Sequence, residues 1–387
     1  MNGKIIAIVA VAILATAGIG AAVILMNNNN SEDNGITITD DSGKTINISS
    51  PLNNVAVLNS NVPRAMLMLG LDDKISCYHY SGTFGIKAEE DESNKLGTYY
   101  TPSVETLLQK GVQAVICPVY AMTLYTSSQK ACEEVGIKVI RLECNGSSLN
   151  SDLVKISKLF GDPESATKTL NEYNSNSEKI TNAIKDKLIS ENVELENYLF
   201  AFAARNAIYN QSSTLNKNYA PIFKENVTVM TDLPTDGVSN PADATGTIEA
   251  IHQIETSIDN FFIRANSKET TESAFLAHYS TFVGADKLLT TSCKAVANGD
   301  IYVVNNALAS GLYMPIGLLM IAEKVYGLDI SVTLDFGTEK TYTGLSDLSE
   351  LVNDFQSRYF QKDLASGDLM LSQISSAGTT TSTLALA

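Results

Sequence analysis

The chain has 387 residues, 44% hydrophobic and 18% charged, enough for two ordinary domains and too apolar for a disordered protein. Lysine and arginine number 27 against 43 aspartates and glutamates, and the net charge of −16 excludes a nucleic-acid binder, which needs a basic footprint. The five cysteines show neither CxxC spacing nor a disulfide framework and read as small buried apolar residues.

Ile5 to Met26 is an uncharged run of apolar and small residues preceded only by Met1-Asn2-Gly3-Lys4. At ~1.5 Å per residue it covers ~33 Å, enough to cross a hydrocarbon core. Residues 1–26 are therefore expected to be a single-pass membrane anchor, with Lys4 inside and the acidic bulk outside the cytoplasm. Cleavage as a signal peptide and secretion is the alternative, because Ala15 to Gly18 offers small residues to a peptidase. Residues 27–35 form a polar linker.

Ile36-Thr37-Ile38-Thr39 and Lys44-Thr45-Ile46-Asn47-Ile48 alternate around Asp40-Asp41-Ser42-Gly43, a hairpin with turn chemistry at its centre. A strand at Val55 to Leu58 precedes a polar loop, Asn59-Ser60-Asn61, and a helix that starts near Pro63. Strands at Lys74 to Tyr78, Ala114 to Cys117 and Lys138 to Leu142 then alternate with helices near Glu105 and from Ser128 to Val135. That alternation predicts a mainly parallel sheet with helices on both faces over residues 36–162.

From Pro163, the residues Ala166, Leu170, Tyr173, Ser177, Ile180, Ile184 and Leu188 step by three or four. Residues 163–190 are expected to form one long amphipathic helix of ~42 Å, a rigid spine joining two lobes. Residues 191–362 repeat the α/β pattern, with strands at Tyr198 to Ala203, Val227 to Met230, Asn260 to Ile263 and Ile301 to Val304. A buried helix is expected at Pro315 to Tyr326 and a last one at Ser346 to Phe360. Residues 363–387 drift into Ser, Thr, Gly and Ala and are expected to be a disordered tail.

Ser103-Val104-Glu105-Thr106-Leu107-Leu108 recurs in outline as Thr247-Ile248-Glu249-Ala250-Ile251-His252. A carboxylate in a first helical turn is favoured by the helix dipole and unpaired N–H groups, which explains either Glu alone. Its repetition in both halves points further, to a two-lobed receptor that offers one acidic knob per lobe to a symmetric partner.

The order of these pieces resembles a known family, the extracytoplasmic substrate-binding proteins of ABC importers for iron–siderophores, haem and cobalamin. The resemblance runs from about Ile36 to Phe360. It is carried by the opening hairpin, Leu69-Gly70-Leu71-Asp72-Asp73-Lys74-Ile75, Leu96-Gly97 leading into Pro102-Ser103-Val104-Glu105, Gly111 to Ile116, the long helix after Phe160-Gly161, and Asn298-Gly299-Asp300-Ile301-Tyr302. It implies two α/β lobes joined by one helix, a ligand held between them, and Glu105 and Glu249 docking on arginines of a permease dimer that carries ATPase subunits. The second copy departs from the family where Thr256 to Asp259 replaces a more usual Pro-Asp.

In parallel sheets the binding crevice lies beyond the carboxyl ends of the strands. Those positions are Asn59, Ser60, Asn61, Arg64, Tyr78, His79, Tyr80 and Tyr120 in the first lobe, and Arg205, Arg264 and Tyr313 in the second. Of only five arginines in the chain, three fall on this rim. A guanidinium fork suits carboxylate, catecholate or phosphate oxygens, and tyrosines add flat faces with a polar tip. For Arg205 and Arg264 a surface salt bridge is the competing role. The expected ligand is an anionic ferric chelate of siderophore type, with haem or cobalamin as alternatives, and no resident cofactor or metal is expected. His79 could instead ligate haem or a metal, but three histidines in all argue against a zinc or manganese receptor. With no HExxH, Walker loop or GxSxG, enzymatic activity is not expected. An anchored sensor or adhesion protein, or a metal-cluster protein using Cys77, Cys117 and Cys144, would reuse the same fold.

Overall fold

A computed structural model describes residues 35–80, 84–96, 102–119, 126–209, 218–226, 240–241, 245–265, 271–360, 369–374 and 379–386. The expected anchor, the linker up to residue 34 and the strand at 227–230 lie outside them. Among the described residues no helix is long and apolar enough to cross a membrane.

Strands β1 (Ile36–Thr39) and β2 (Thr45–Ile48) form the expected antiparallel hairpin. Asp40 shapes its turn, accepting from the Ser42 N–H at 3.0 Å, the Ser42 hydroxyl at 2.6 Å and the Lys44 N–H at 3.0 Å. Gly43 takes the left-handed backbone, φ +82°, that such a turn requires. Four strands follow, β3 (Val55–Val57), β4 (Ile75–Tyr78), β5 (Ala114–Cys117) and β6 (Lys138–Arg141), all parallel in the order β4-β3-β5-β6. Every residue of β3 and β5 is buried, as strands covered on both faces must be. The flanking helices are α1 (Val62–Met68), α2 (Val104–Gln109), α3 (Thr126–Glu134) and α4 (Leu149–Leu159).

Helix α5 (Glu164–Ser190) runs 27 residues without Pro or Gly, about 40 Å. Its stripe of Ala166, Leu170, Tyr173, Ile180, Ile184 and Leu188 is buried as expected, but Asn176 rather than Ser177 fills the middle of it. Asn176 is there because its carboxamide both donates to the carbonyl of Asp335 (2.7 Å) and accepts its N–H (3.0 Å). The Tyr173 hydroxyl donates to the Leu312 carbonyl at 2.9 Å. The stripe belongs to one apolar core with Leu153 and Ile156 of the first unit and Leu319, Ile330 and Leu334 of the second. The helix is thus a wall shared by both.

The second unit holds β7 (Tyr198–Phe202), β8 (Ala207–Ile208), β9 (Asn240–Pro241), α6 (Thr245–His252), β10 (Asn260–Ala265), α7 (Glu272–Phe282), α8 (Lys294–Asn298), β11 (Ile301–Asn305), α9 (Asn306–Ser310) and α10 (Met314–Tyr326). The hairpin β12 (Ser331–Asp335) and β13 (Glu339–Thr343), α11 (Leu348–Tyr359), β14 (Leu369–Ile374) and β15 (Thr380–Leu386) complete it. Its sheet has the order β15-β14-β11-β10-β7-β8-β9, with only β11, β10 and β7 parallel. The expectation of a disordered tail over 363–387 is corrected for residues 369–374 and 379–386; the rest of that segment lies outside the described residues. β14 pairs antiparallel along β11, from Leu371 opposite Val304 to Ile374 opposite Ile301, with Leu371 and Ile374 buried, and β15 pairs along β14. Ser- and Thr-rich sequence is compatible with a strand once another strand supplies an edge, and that edge lies some 70 residues away.

Candidate functional site

At the carboxyl end of the first sheet the polar loop after β3 is committed to structure. Asn59 is buried; its amide donates to the Leu142 carbonyl at 2.9 Å and its oxygen accepts the N–H groups of Asn61 and Val62, holding the start of α1. Asn61 donates to the Glu143 carbonyl at 3.0 Å. Ser60 is half-buried beside them. Asn59 and Asn61 therefore tie this loop to the chain that follows β6, and the Asn59 oxygen is spent on two N–H groups.

An aromatic cluster gathers at the carboxyl end of β4. The rings of Tyr78 and Tyr80 lie 5.0 Å apart, Tyr80 and Phe84 also 5.0 Å, and the Arg64 guanidinium sits 4.9 Å over the Phe84 ring. Glu89 pins the loop, accepting from the Tyr80 hydroxyl at 2.8 Å and the N–H groups of Phe84 and Gly85. Burial, and then the Glu89 carboxylate, push the Tyr80 phenol far up, so it stays protonated. Burial likewise raises the Tyr78 phenol. Nδ1 of half-buried His79 pairs with the Leu96 carbonyl at 2.8 Å. Tyr120 lies outside the described residues.

In the second unit Arg264, at the carboxyl end of β10, is half-buried and sits 4.6 Å over the Phe202 ring. One of its terminal nitrogens donates to the Tyr209 hydroxyl, and the Phe202 and Tyr209 rings stack at 6.2 Å. Among the described residues Arg264 has no ion-pair partner, and its Nε–H is buried with no acceptor. The surface salt bridge, its competing role, is absent from this set; Arg358 is the arginine that forms one, with Glu172. Arg205 ends the short turn Ala203–Arg205 between β7 and β8. Tyr313 is not on an open rim: it is buried, stacked on Phe360 at 5.3 Å and tilted on Phe355 at 5.1 Å.

Three residues of these clusters were not among the sequence candidates: Phe84, Phe202 and Tyr209. Phe202 carried a usable signal, since it ends β7 at the carboxyl edge. An open groove between α5 and β12, lined by Lys179, Asp186, Asp329 and Thr333 among others, includes none of the candidate ligand residues.

No known family profile matches the sequence, and no curated protein matches it. Solved structures do. A periplasmic binding protein of Veillonella parvula superposes with a TM-score of 0.57 at 15% identity, over 77% of this chain and 99% of that one. The molybdate periplasmic binding protein of Haemophilus influenzae matches with a TM-score of 0.57 at 12% identity, over 85% and 99%. An ABC-type Fe3+-hydroxamate transport protein of Saccharomonospora viridis matches with a TM-score of 0.53 at 14% identity, over 76% and 99%.

This chain has the fold of a periplasmic binding protein.

Within that fold the two acidic knobs are exposed, one per unit. Glu105 lies in the first turn of α2, capped by the Ser103 hydroxyl, which accepts the Thr106 N–H at 3.2 Å; Gln109 donates to the Glu105 carboxylate at 3.2 Å. The expectation of a matching first-turn Glu in the second copy is corrected. Helix α6 starts two residues before Thr247, which is itself buried, so Glu249 falls in the second turn. The helix-end explanation therefore holds for Glu105 and fails for Glu249. The apolar partners Leu107 and Ile251 are buried alike.

All five cysteines are free and buried, as composition implied. Cys77 and Cys117 pack on one face of the first sheet and Cys144 in the core on the other, and burial pushes the Cys117 thiol up to about 12. Among the described residues no group of three or more His, Cys, Asp or Glu converges on a metal position.

Proposed function

We propose that the chain is the extracytoplasmic receptor of an ABC importer, that it captures an anionic ferric chelate of siderophore type between its two units, and that it delivers the chelate to a permease dimer. Arg264 carries this reading. It is a guanidinium without a carboxylate partner among the described residues, in a chain of net charge −16, placed over an aromatic ring with an unused N–H. An unneutralised, half-buried cation is costly to keep unless an anion completes it. In the first unit the Arg64 guanidinium likewise lies over an aromatic ring, that of Phe84. Stacked arginines and tyrosines suit a large, flat or aromatic anion better than a sugar.

The similar structures support the class: one is described as a Fe3+-hydroxamate transport protein, another as bound to molybdate. Glu105 and Glu249 would meet the permease, and residues 1–26 would tether the receptor to the membrane. Titration of tyrosine fluorescence with ferric hydroxamates, ferric catecholates, haem, cobalamin and molybdate tests the proposal; the chain has 16 tyrosines and no tryptophan. Saturable binding of a ferric chelate, lost in Arg264→Ala, is the expected result. Binding of bare divalent metal alone would overturn it.

A further inference from the structure

β12 and β13 form a sheet of two strands, so among the described residues no strand pairs with the other edge of β12. Two contacts fix which backbone groups stand on that edge. The Ile330 carbonyl accepts the Gly344 N–H at 3.1 Å, so even-numbered residues turn their backbone groups towards β13. Asp335 turns its N–H and carbonyl the opposite way, to the Asn176 carboxamide of α5 at 3.0 and 2.7 Å. Alternate residues of an antiparallel strand share a direction, so Ser331 and Thr333 point their backbone groups outward with Asp335. Both residues are exposed, and among the described residues nothing accepts from these two N–H groups. Their hydroxyls are spent across the hairpin, Ser331 on Thr343 at 3.1 Å and Thr333 on Thr341 at 2.8 Å. Neither Pro nor a bulge blunts the edge.

Asn176 thus stands where one residue of a third strand would, and beyond it a groove opens. Its volume is about 730 Å³, and it runs between Lys179 to Ser190 of α5 and Asp329 to Thr333. Eleven helical steps on one wall and four extended steps on the other give it a length of ~13–16 Å, the span of about four or five extended residues. Ala183, Ile330 and Val332 supply an apolar lining. Asp186, Asp329 and Glu339 stand there with Lys179 and Lys187. Lys187 is paired with Glu191 at 3.0 Å, which leaves Lys179 against three carboxylates.

We infer that this groove takes a lone, basic, extended segment of a partner polypeptide, which adds to β12 as a third strand. The outward N–H and carbonyl groups of Ser331 and Thr333 supply main-chain pairing, the apolar lining takes one face of the segment, and the carboxylates choose a cationic one. A second copy of this chain fits worse. Its own β12 edge is flanked by α5, so two-fold pairing of the edges would press two helices into one groove, and the two linings would meet with the same sign of charge. None of the candidate ligand residues lines the groove, so this contact is separate from chelate capture.

Fluorescence anisotropy of a labelled heptapeptide of alternating lysine and valine, titrated with the full chain, tests the inference. Saturable binding is expected, about tenfold weaker when glutamate replaces lysine and lost when the peptide is N-methylated along its length. Thr333→Pro removes an outward N–H that no ladder bond uses, so the hairpin should persist while affinity falls about tenfold or more. Ala183→Gln keeps a good helix former and fills the groove from its other wall, and should weaken binding in the same way. In the complex, hydrogen exchange at the Ser331 and Thr333 amides should slow, while the Val332 and Leu334 amides, already turned to β13, stay as they were. The inference is overturned if binding does not saturate, if the glutamate or the N-methylated peptide binds equally well, or if binding survives both variants. A dimer in sedimentation that Thr333→Pro abolishes would equally overturn it, by placing a second copy in the groove.

Discussion

Arg264 lies 4.6 Å over the ring of Phe202, two residues that end neighbouring parallel strands of the second sheet. The strand register pairs them directly, so the guanidinium is oriented before any ligand arrives. The Tyr209 hydroxyl then fixes one edge of the fork and leaves Nε–H unused. Pre-orientation of this kind lowers the entropy lost on binding.

Arg264→Ala should therefore weaken chelate binding by roughly 10–100-fold, the range of one charge-assisted hydrogen bond of about 1.5–3 kcal/mol. Arg264→Lys should fail to restore it, since an ammonium offers no planar fork. Phe202→Leu should cost less, about three- to tenfold, because it removes the aromatic face under the guanidinium and keeps the charge. Fluorescence titration of the three variants checks the order; equal affinity in Arg264→Lys and the native chain would contradict the fork.

Helix α5 should hold the two units to small rigid tilts, because a sharp kink needs a Pro, Gly or bulge and none lies within Glu164–Ser190. Small-angle scattering curves with and without ligand should nearly superimpose. A marked compaction on binding would show that another hinge exists.

Replacing Glu105 and Glu249 together by Ala should leave ligand affinity unchanged, while transport and ligand-stimulated ATP hydrolysis in reconstituted vesicles fall. Each exposed pair contributes only ~0–1 kcal/mol, so the double change should exceed either single one. Normal transport by the double variant would remove both residues from the docking surface.

The opening hairpin carries a pH dependence. Lys155 reaches Asp41 of the hairpin turn at 2.5 Å and Asp152 at 2.9 Å, and Asp152 also accepts from the Cys144 N–H and the Ser148 hydroxyl. Burial and then Asp41 raise the Asp152 carboxyl from its ordinary range to about 7. A carboxyl raised on folding takes up its proton in the native state first, so its contribution favours folding as pH falls from about 7 towards the unfolded value of ~3.9. The raised Lys155 ammonium acts at the other end, stabilising below its unfolded pKa of ~10.4 and losing that contribution above it. Asp152→Asn mimics the protonated acid. Relative to the native chain it should gain on the order of 1–2 kcal/mol between pH 5 and pH 8, read by urea unfolding at both. No change in that difference would place the titration elsewhere.

Much of the fold was legible because its signals are local. Asp40 to Gly43 contain the whole of their turn, the spine announces itself by residues three or four apart on one helix, and strand–helix alternation is enough for a parallel sheet. The hairpin β12–β13, with Thr333 and Thr341 hydroxyls bonded at 2.8 Å on its exposed face, is not among the elements expected from sequence, although its alternation is present in the chain. Its neighbour over the tail was illegible for a different reason. Leu369 to Ile374 become a strand only because β11 leaves an edge for them.

The residues of the site divide in the same way. The rule that ligands sit beyond the carboxyl ends of parallel strands puts Arg64 and Arg264 among the candidates from local pattern alone. What surrounds them did not follow from sequence, because Phe202 and Tyr209 meet Arg264 across 62 and 55 residues of chain. Tyr313 is an equally suitable candidate by position and is buried against Phe355 of α11 and Phe360 just past its end, more than 40 residues later. Sequence by itself determined which residue types stand at the ends of which strands, since backbone periodicity is set by near neighbours. Only the tertiary structure decided which of those side chains stay unsatisfied, because burial and hydrogen-bond pairing depend on what distant segments bring to the same place.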